Sequence, residues 1–331
     1  MQGQFASSEF QLVFRDLSMH LIDGGDRTFS ASRSDFQSSG RLKDWIEKVG
    51  ILVPLRVNLR SDGAYRIVSG FRRFIAAGQL GLQAIPCLVD QAEPPTLFLK
   101  AVVENLCSRG LGELERATVI YKMQVDFQRN DQELIEKVLP ILGIQGSRHR
   151  LDYYLRIAQL PEQLQQAISE GVVIPEVALK LSGWSSDESS FFVRTVAEYR
   201  LGRNKQRRLF ELVDDLKASE SAELHSVWEQ SGAADIDRDQ TLPPEVRYDR
   251  IRKALDRLRY PVLSEHQERF RKLKGALKLP GSVRLEVPEY FEGDSIMVSF
   301  RTRNSEEFAQ VTEHLSRAAL CNEIEEIFDL L

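Results

Sequence analysis

The feature that constrains this chain most is a glycine followed by two arginines, at a point where a short strand gives way to a helix. Residues 63–68 are rich in β-branched and aromatic side chains, as strands are, and residues 74–80 have a helical pattern. Gly70, Arg72 and Arg73 therefore stand at a strand-to-helix turn. Backbone N–H groups at a helix start attract anions, and one guanidinium group can donate two hydrogen bonds to two oxygens of a phosphate. The turn predicts either a phosphate site or a structural turn with solvated arginines.

Composition limits the classes of protein that this chain can belong to. Its 331 residues, of which 42% are hydrophobic and 28% charged, predict a globular protein of two or three domains. No apolar run is long enough to cross a bilayer, and residues 1–8 lack the features of a secretory signal. Cys87, Cys107 and Cys321 lie far apart and match no metal-ligand spacing, which fits a reducing compartment. Together with the lack of a bilayer-spanning run, this predicts a cytoplasmic protein with no membrane partner. The net charge of −5 argues against a basic coat but leaves room for a local basic face.

The glycine–arginine turn lies at the centre of a predicted small α/β unit over residues 40–90. A one-sided helix over residues 42–49 precedes a strand over 51–57. A hairpin turn then leads into the strand that ends at the glycine, and a further strand is predicted over 84–89. The unit therefore alternates strands and helices around the turn.

A second feature is a basic helix that follows a short glycine-containing turn. Residues 134–140 have an apolar helical pattern, residues 143–146 predict a turn, and Ser147 is a suitable N-cap for a helix over 148–157. This is the pattern of a helix-turn-helix, whose second helix contacts the DNA major groove. The alternative is a helical hairpin with solvated arginines. The residues that we expect to contact DNA are Ser147, Arg148, His149, Arg150, Tyr153 and Arg156.

The second half of the chain combines a basic cluster, a polar stretch and a hairpin. Residues 203–208 predict either a solvated helix end or a contact with the phosphate backbone of DNA. The polar residues 218–240 are typical of a linker, and alternation over 283–287 and 296–300 predicts a hairpin. The predicted fold class is α+β and mostly helical, with a small α/β N-terminal domain, a central helical domain and a small C-terminal domain of a hairpin and helices. The predicted boundaries are 1–112, 113–217, a linker over 218–244, and 245–331.

Several different short motifs follow one another in a characteristic order along residues 35–182. They lie at 50–55, 65–73, 81–86, 103–106, 111–117, 147–161 and 172–174. Each motif is modest by itself, but their order and spacing together resemble the N-terminal domain and helix-turn-helix of the ParB partition proteins. This resemblance covers a little under half of the chain.

The resemblance implies a function that the residues alone do not define. In the ParB family the N-terminal domain binds CTP with a magnesium ion, and a homodimer clamps DNA and reads a centromere-like site. Carried over to this chain, Gly70, Arg72 and Arg73 would hold the triphosphate, and Glu104 and Asn105 would serve the magnesium ion and the nucleotide. The family also implies dimerisation through the C-terminal domain, a partner ATPase, and association with the nucleoid or a plasmid.

The chain departs from the family pattern at positions that bear on the chemistry. Phe71 replaces the Glu that usually follows the glycine, and Val53 replaces a Gln that often precedes the proline. Cys107 and Ser108 stand where the family usually has Gln-Arg. Because a phenylalanine neither positions water nor accepts a proton, we expect weak or absent CTP hydrolysis.

Three functions follow from these observations. The first is a ParB-like DNA-binding protein of chromosome or plasmid partition that responds to CTP. The second is a transcription regulator on the same scaffold that binds DNA without nucleotide. The third is an enzyme acting on a small phosphorylated substrate; Phe71 counts against it, since no acidic residue is visible near Gly70 in the sequence.

Overall fold

The computed structural model describes residues 12–32, 40–220, 222–288 and 290–331. The chain divides into two compact units, Met1–Trp184 and Ser185–Leu331. Helices predominate over a small mixed sheet, so the predicted α+β class is confirmed. Among the described residues, no helix combines the length and the apolar character needed to cross a membrane.

The first unit contains a mixed sheet, in which we describe five strands. They are β1 (Leu12–Ser18), β2 (Ile22–Asp23), β3 (Leu55–Leu59), β4 (Tyr65–Ser69) and β5 (Ala84–Asp90). Their order across the sheet is β1-β5-β3-β4-β2. The β1–β5 and β3–β4 pairs are antiparallel, whereas β3–β5 and β2–β4 are parallel. β3 and β4 are the predicted hairpin, and β3 begins at Leu55 rather than at residue 51, directly after Pro54.

Helices accompany the sheet, and some of them supply residues to the cleft described below. The helices are α1 (Gly40–Val49), α2 (Phe71–Gln79), α3 (Pro94–Ser108) and α4 (Glu113–Val125). The core between sheet and helices is made of side chains that are almost wholly buried, including Leu55, Val57, Ile67, Ile85 and Cys87. Burial raises the pKa of the Cys87 thiol to about 12, so this cysteine is a protonated core residue.

The helix-turn-helix segment follows α4. A continuous helical stretch consists of α5 (Asp131–Glu133), a π-helical turn (Leu134–Val138) and α6 (Leu139–Ile141). After the turn, α7 (Arg148–Ala158), α8 (Glu162–Ser169) and α9 (Pro175–Leu181) complete the unit. The sequence pattern of helix, glycine-containing turn and basic helix therefore corresponds to elements of the fold.

The second unit is helical except for one hairpin. Its helices are α10 (Ser186–Glu198), α11 (Arg203–Glu220), α12 (Leu224–Gln230), α13 (Ala233–Arg238), α14 (Pro244–Arg259) and α15 (Pro261–Ala276). The hairpin of β6 (Val283–Glu286) and β7 (Met297–Phe300) follows, and α16 (Ser305–Ala318) and α17 (Asn322–Phe328) end the chain. The hairpin pairs Val283 with Phe300 and Leu285 with Val298, as the alternation predicted.

The stretch 218–244, expected to be a linker, differs from that expectation because it contains α12 and α13. Leu224, Val227 and Trp228 are buried on one side of α12. Their spacing is helical, but the polar residues around them dominate the composition. The start of α12 is also fastened, since its Leu224 N–H donates to the Glu188 carboxylate at 2.9 Å.

Candidate nucleotide cleft and DNA-contact helix

Gly70 occupies a position that only a glycine fills without strain. Its φ is 105° and its ψ is 17°, in the left-handed region, and it immediately precedes the first residue of α2. A Cβ at this position would lie 2.9 Å from Leu55 Cγ and 3.1 Å from an Arg73 guanidinium nitrogen. The helix therefore begins at Phe71, three residues earlier than the sequence pattern indicated. The Gly70 carbonyl oxygen accepts from the Arg73 and Phe74 N–H groups at 2.9 and 3.0 Å.

A cleft with a cavity volume of about 380 Å³ opens at this turn. It is bounded by the β4–α2 turn, by the end of α3 and by residues 29–32. All five residues that the resemblance assigned to nucleotide and metal line it: Gly70, Arg72, Arg73, Glu104 and Asn105. Fold geometry thus brings together residues that lie more than thirty positions apart in the chain.

Arg73 is tied into the protein on three sides. One of its terminal nitrogens donates to the carbonyl oxygens of Val53 and Pro54 at 2.5 and 2.8 Å. The other lies 3.5 Å from Glu104 Oε1. Burial lowers the pKa of the Arg73 guanidinium, and the Glu104 carboxylate opposes that shift. Arg73 consequently fixes the segment that leads into β3 and keeps its charge at the cleft wall.

Glu104 supplies a carboxylate beside the glycine turn. Its Oε2 accepts a hydrogen bond from Ser69 Oγ at 2.7 Å. An acidic group therefore lies beside Gly70 in the fold although none is near it in the sequence, because α3 returns to the end of β4. The next residue, Asn105, donates its side-chain N–H to the Ala101 carbonyl at 2.9 Å, which leaves its carbonyl oxygen as an acceptor for a ligand.

Phe71 packs into the core at the edge of the cleft. It is 7% exposed, and the Arg27 guanidinium carbon lies 5.1 Å from the centre of its ring. Arg27 also donates to the Gly24 carbonyl at 2.6 Å. A cation–π contact of this kind holds the segment around Arg27 against the start of α2.

The loop wall, which we define as residues 24–32, is the part of the cleft that sequence reasoning missed. Lys122 on α4 donates to the Arg27 and Thr28 carbonyl oxygens at 2.6 and 3.2 Å. Phe29 is 2% exposed and stacks at 6.5 Å on Phe127. The only local signal was the turn composition before residue 28, since the partners that order this wall come much later in the chain.

Arg109 is a second residue that the motif comparison passed over. It lines the cleft directly after α3. Its guanidinium donates to both carboxylate oxygens of Glu115, at 3.0 and 2.6 Å. This carboxylate raises the pKa of Arg109. Burial alone would raise the pKa of Glu115, but the hydrogen bonds from Arg109 and the Gly112 N–H hold it below its usual range.

The basic helix α7 has the predicted cap and the predicted exposed face. Ser147 Oγ accepts from the Arg150 N–H at 3.3 Å. Arg148, His149, Arg150 and Arg156 are exposed, whereas Ser147 and Tyr153 are half-buried. On the opposite side Leu151 and Tyr154 are buried, and Tyr154 donates its hydroxyl hydrogen to Glu113 on α4 at 2.9 Å.

Two features fix α7 against the helix that precedes it. Gly146 admits no side chain, because a Cβ there would lie 2.5 Å from the Ile135 carbonyl oxygen. Arg148 pairs with Asp131 on the preceding helix and, at 3.0 Å, with Asp152 on its own helix. Arg148 therefore links the two helices, and Arg150 and Arg156 carry the outward positive charge.

Comparison with known proteins finds a family match for part of this chain. Residues 7–106 match the model of the ParB N-terminal domain. The match places a domain similar to the ParB N-terminal domain within the first unit. It is 31% identical over 123 residues to a probable chromosome-partitioning protein ParB of Vibrio cholerae, covering 37% of this chain and 40% of that protein. It is 33% identical over 139 residues to the stage 0 sporulation protein J of Bacillus subtilis, covering 42% of this chain and 47% of that protein.

The chain thus spans less than half the length of these two relatives. A solved structure of C-terminally truncated ParB from Caulobacter crescentus, complexed to the centromeric parS site, is similar at a TM-score of 0.36 and 22% identity. That similarity covers 60% of this chain and 98% of the other.

Proposed function

We propose that this protein is a DNA-binding protein of the partition type whose cleft takes CTP together with magnesium. The observation that carries the proposal is the convergence of Gly70, Arg72, Arg73, Glu104 and Asn105 on one cleft. A helix start and guanidinium groups around a cavity are suited to a polyphosphate. The choice of CTP over other nucleotides rests on the family resemblance.

The electrostatics of the cleft favour an anion at the β4–α2 turn. Arg72 is exposed at the first turn of α2, where the helix dipole adds positive potential. Arg73 and Arg109 line the same cavity, each already beside a carboxylate. Among the described arginines that line the cleft, Arg72 is therefore the one whose guanidinium is best placed to gain a phosphate partner.

The residues proposed for magnesium fit a shared site rather than a closed one. Glu104 offers a carboxylate and Asn105 a carbonyl oxygen, and both are hard oxygen ligands. No group of three or more His, Cys, Asp or Glu side chains in the described part of the chain is arranged to hold a metal. Mg²⁺ usually takes one or two protein ligands and completes its shell with phosphate and water oxygens, so the ion would enter with the nucleotide.

Hydrolysis is proposed to be weak or absent. Phe71 is buried under Arg27, so that position neither orients water nor takes a proton. Glu104 supplies a carboxylate beside the turn, but Ser69 and Arg73 both contact it. Nucleotide would then act as a bound effector.

The DNA-binding part of the proposal rests on α7. The residues proposed to contact DNA lie at the start of α7 and on its solvent-facing side: Ser147, Arg148, His149, Arg150, Tyr153 and Arg156. Arginines there can contact phosphates and guanine edges. Homodimerisation through the C-terminal domain, a partner ATPase and association with a nucleoid or plasmid belong to the same proposal, by analogy with the family.

A transcription regulator that works without nucleotide is the second candidate. It is favoured by the internal pairing of the cleft, where Glu104 already accepts from Ser69 and Arg109 already pairs with Glu115. Such a cleft would serve as a structural junction between the sheet and α3.

Binding of labelled CTP separates the two candidates. The assay uses the full chain with and without Mg²⁺, with ATP and GTP as competitors. We expect Mg²⁺-dependent, CTP-selective binding that is weakened at least tenfold in Arg72→Ala, since a charge-assisted hydrogen bond contributes about 1.5–3 kcal/mol. Arg129→Ala is the matched control, an arginine of the same unit that does not line the cleft. Failure of any nucleotide to bind would favour the nucleotide-free regulator.

A further inference from the structure

Arg109 is a cleft arginine that is already occupied by a protein carboxylate. Its guanidinium faces Glu115 through two hydrogen bonds of 3.0 and 2.6 Å, the arrangement in which arginine also holds a phosphate. The pair is not deeply buried, because the side chains are 37% and 20% exposed. An incoming anion therefore has access to it.

Glu115 contacts one cleft arginine and lies within the electrostatic field of a second. It accepts from Arg109, and the Arg72 charge also acts on its carboxylate. The same Glu115 accepts from the Gly112 N–H at 3.1 Å and so caps the first turn of α4. The Glu115 carboxylate on α4 thus accepts from the same guanidinium N–H groups from which a phosphate in the cleft would accept.

We infer that Arg109 is a phosphate-binding residue held in reserve by Glu115, and that bound triphosphate exchanges with the Glu115 carboxylate for this guanidinium. The inference rests on the proposed function and deepens it. Arg109 follows directly after Cys107 and Ser108, the two positions where the ParB motif usually has Gln-Arg. The inference also makes Glu115 a built-in competitor that sets how tightly the cleft takes a polyphosphate.

The substitution Glu115→Gln separates competition from capping. A glutamine keeps an oxygen that can accept from the Gly112 N–H, and glutamine serves in capping boxes as glutamate does. It removes the negative charge that holds Arg109. We expect CTP to bind about fivefold more tightly, since a partly exposed ion pair contributes on the order of 1 kcal/mol.

Arg109→Ala is the converse test and leaves the Glu115 cap in place. We expect CTP affinity to fall by about tenfold, the loss of one charge-assisted contact. In the double variant of Arg109→Ala with Glu115→Gln, the gain from Glu115→Gln should disappear, because the guanidinium that it released is gone. Glu113→Gln is the control, since it removes the same charge from the same turn but contacts Tyr154 instead of Arg109.

The experiment is equilibrium binding of labelled CTP with Mg²⁺ to these full-length variants. The inference is supported if Glu115→Gln alone tightens binding and the double variant loses that gain. Unchanged affinity in both single variants, with binding by the wild type, would overturn it and leave the proposed function standing. An equal gain in Glu113→Gln would overturn it too, because net charge would then explain the effect. Absence of nucleotide binding in every variant would overturn both proposals.

Discussion

Replacing Gly70 by alanine should destabilise the first unit by an amount that the geometry allows us to bound. An L-residue in the left-handed region costs about 1–2 kcal/mol. The new methyl group would also lie only 2.9 Å from Leu55 Cγ. Leu55 is 0% exposed, so its side chain is enclosed by the core on all sides. Overpacking of this kind typically costs a further 1–3 kcal/mol. The sum predicts a loss of about 2–5 kcal/mol in the free energy of unfolding.

Gly81→Ala separates the two contributions. Gly81 also has a positive φ, of 70°, but a Cβ there would meet no atom within 4 Å. It should therefore show the backbone cost alone, about 1 kcal/mol. Urea-dependent hydrogen exchange, followed on peptides from residues 55–69, reports on this unit without interference from the second one. Equal losses of stability in Gly70→Ala and Gly81→Ala would refute the steric argument.

Two further predictions concern α7 and the second unit. Changing Arg148 and Arg150 together to alanine should abolish sequence-specific DNA binding and leave the helical circular dichroism intact; unchanged affinity for a selected DNA site would remove α7 from the interface. Burial opposes ionisation of Glu188, but its hydrogen bonds, first among them that from the Lys217 ammonium at 2.6 Å, lower its pKa to about 2. Its charge therefore stabilises the fold fully above about pH 4.5, the usual glutamate value, and this stabilisation is lost as the pH falls towards 2. The stability difference between wild type and Glu188→Gln, measured by denaturant unfolding, should shrink over that range, and a constant difference would contradict it.

Local features of the fold were predictable from the sequence. The β4–α2 turn at Gly70, the Ser147 cap and the β6–β7 hairpin each depend on residues only a few positions apart. Turn chemistry, capping and alternation report such short-range constraints directly. The convergence of the five cleft residues was anticipated only through a resemblance, since nothing in periodicity brings Glu104 to Gly70.

The features that sequence reasoning missed depend on long-range partners or on sparse patterns. The Ser69–Glu104 hydrogen bond joins residues 35 positions apart. The Arg109–Glu115 pair is closer in sequence, but opposite charges at that spacing are common on surfaces and indicate no cleft. In α12, three apolar positions were outweighed by polar neighbours in a reading based on composition.

The fastening of the loop wall to α4 has a consequence for how the cleft is assembled during synthesis. Lys122 holds carbonyl oxygens 95 and 94 residues earlier in the chain, so this wall closes a long loop. Contacts of such large sequence separation form after local helices and hairpins, because the closure entropy must be overcome first. A nascent chain that has already formed the β3–β4 hairpin and α2 therefore still lacks the hydrogen bonds from Lys122 to the loop wall. This wall gains its attachment to α4 only when α4 has left the ribosome and docked.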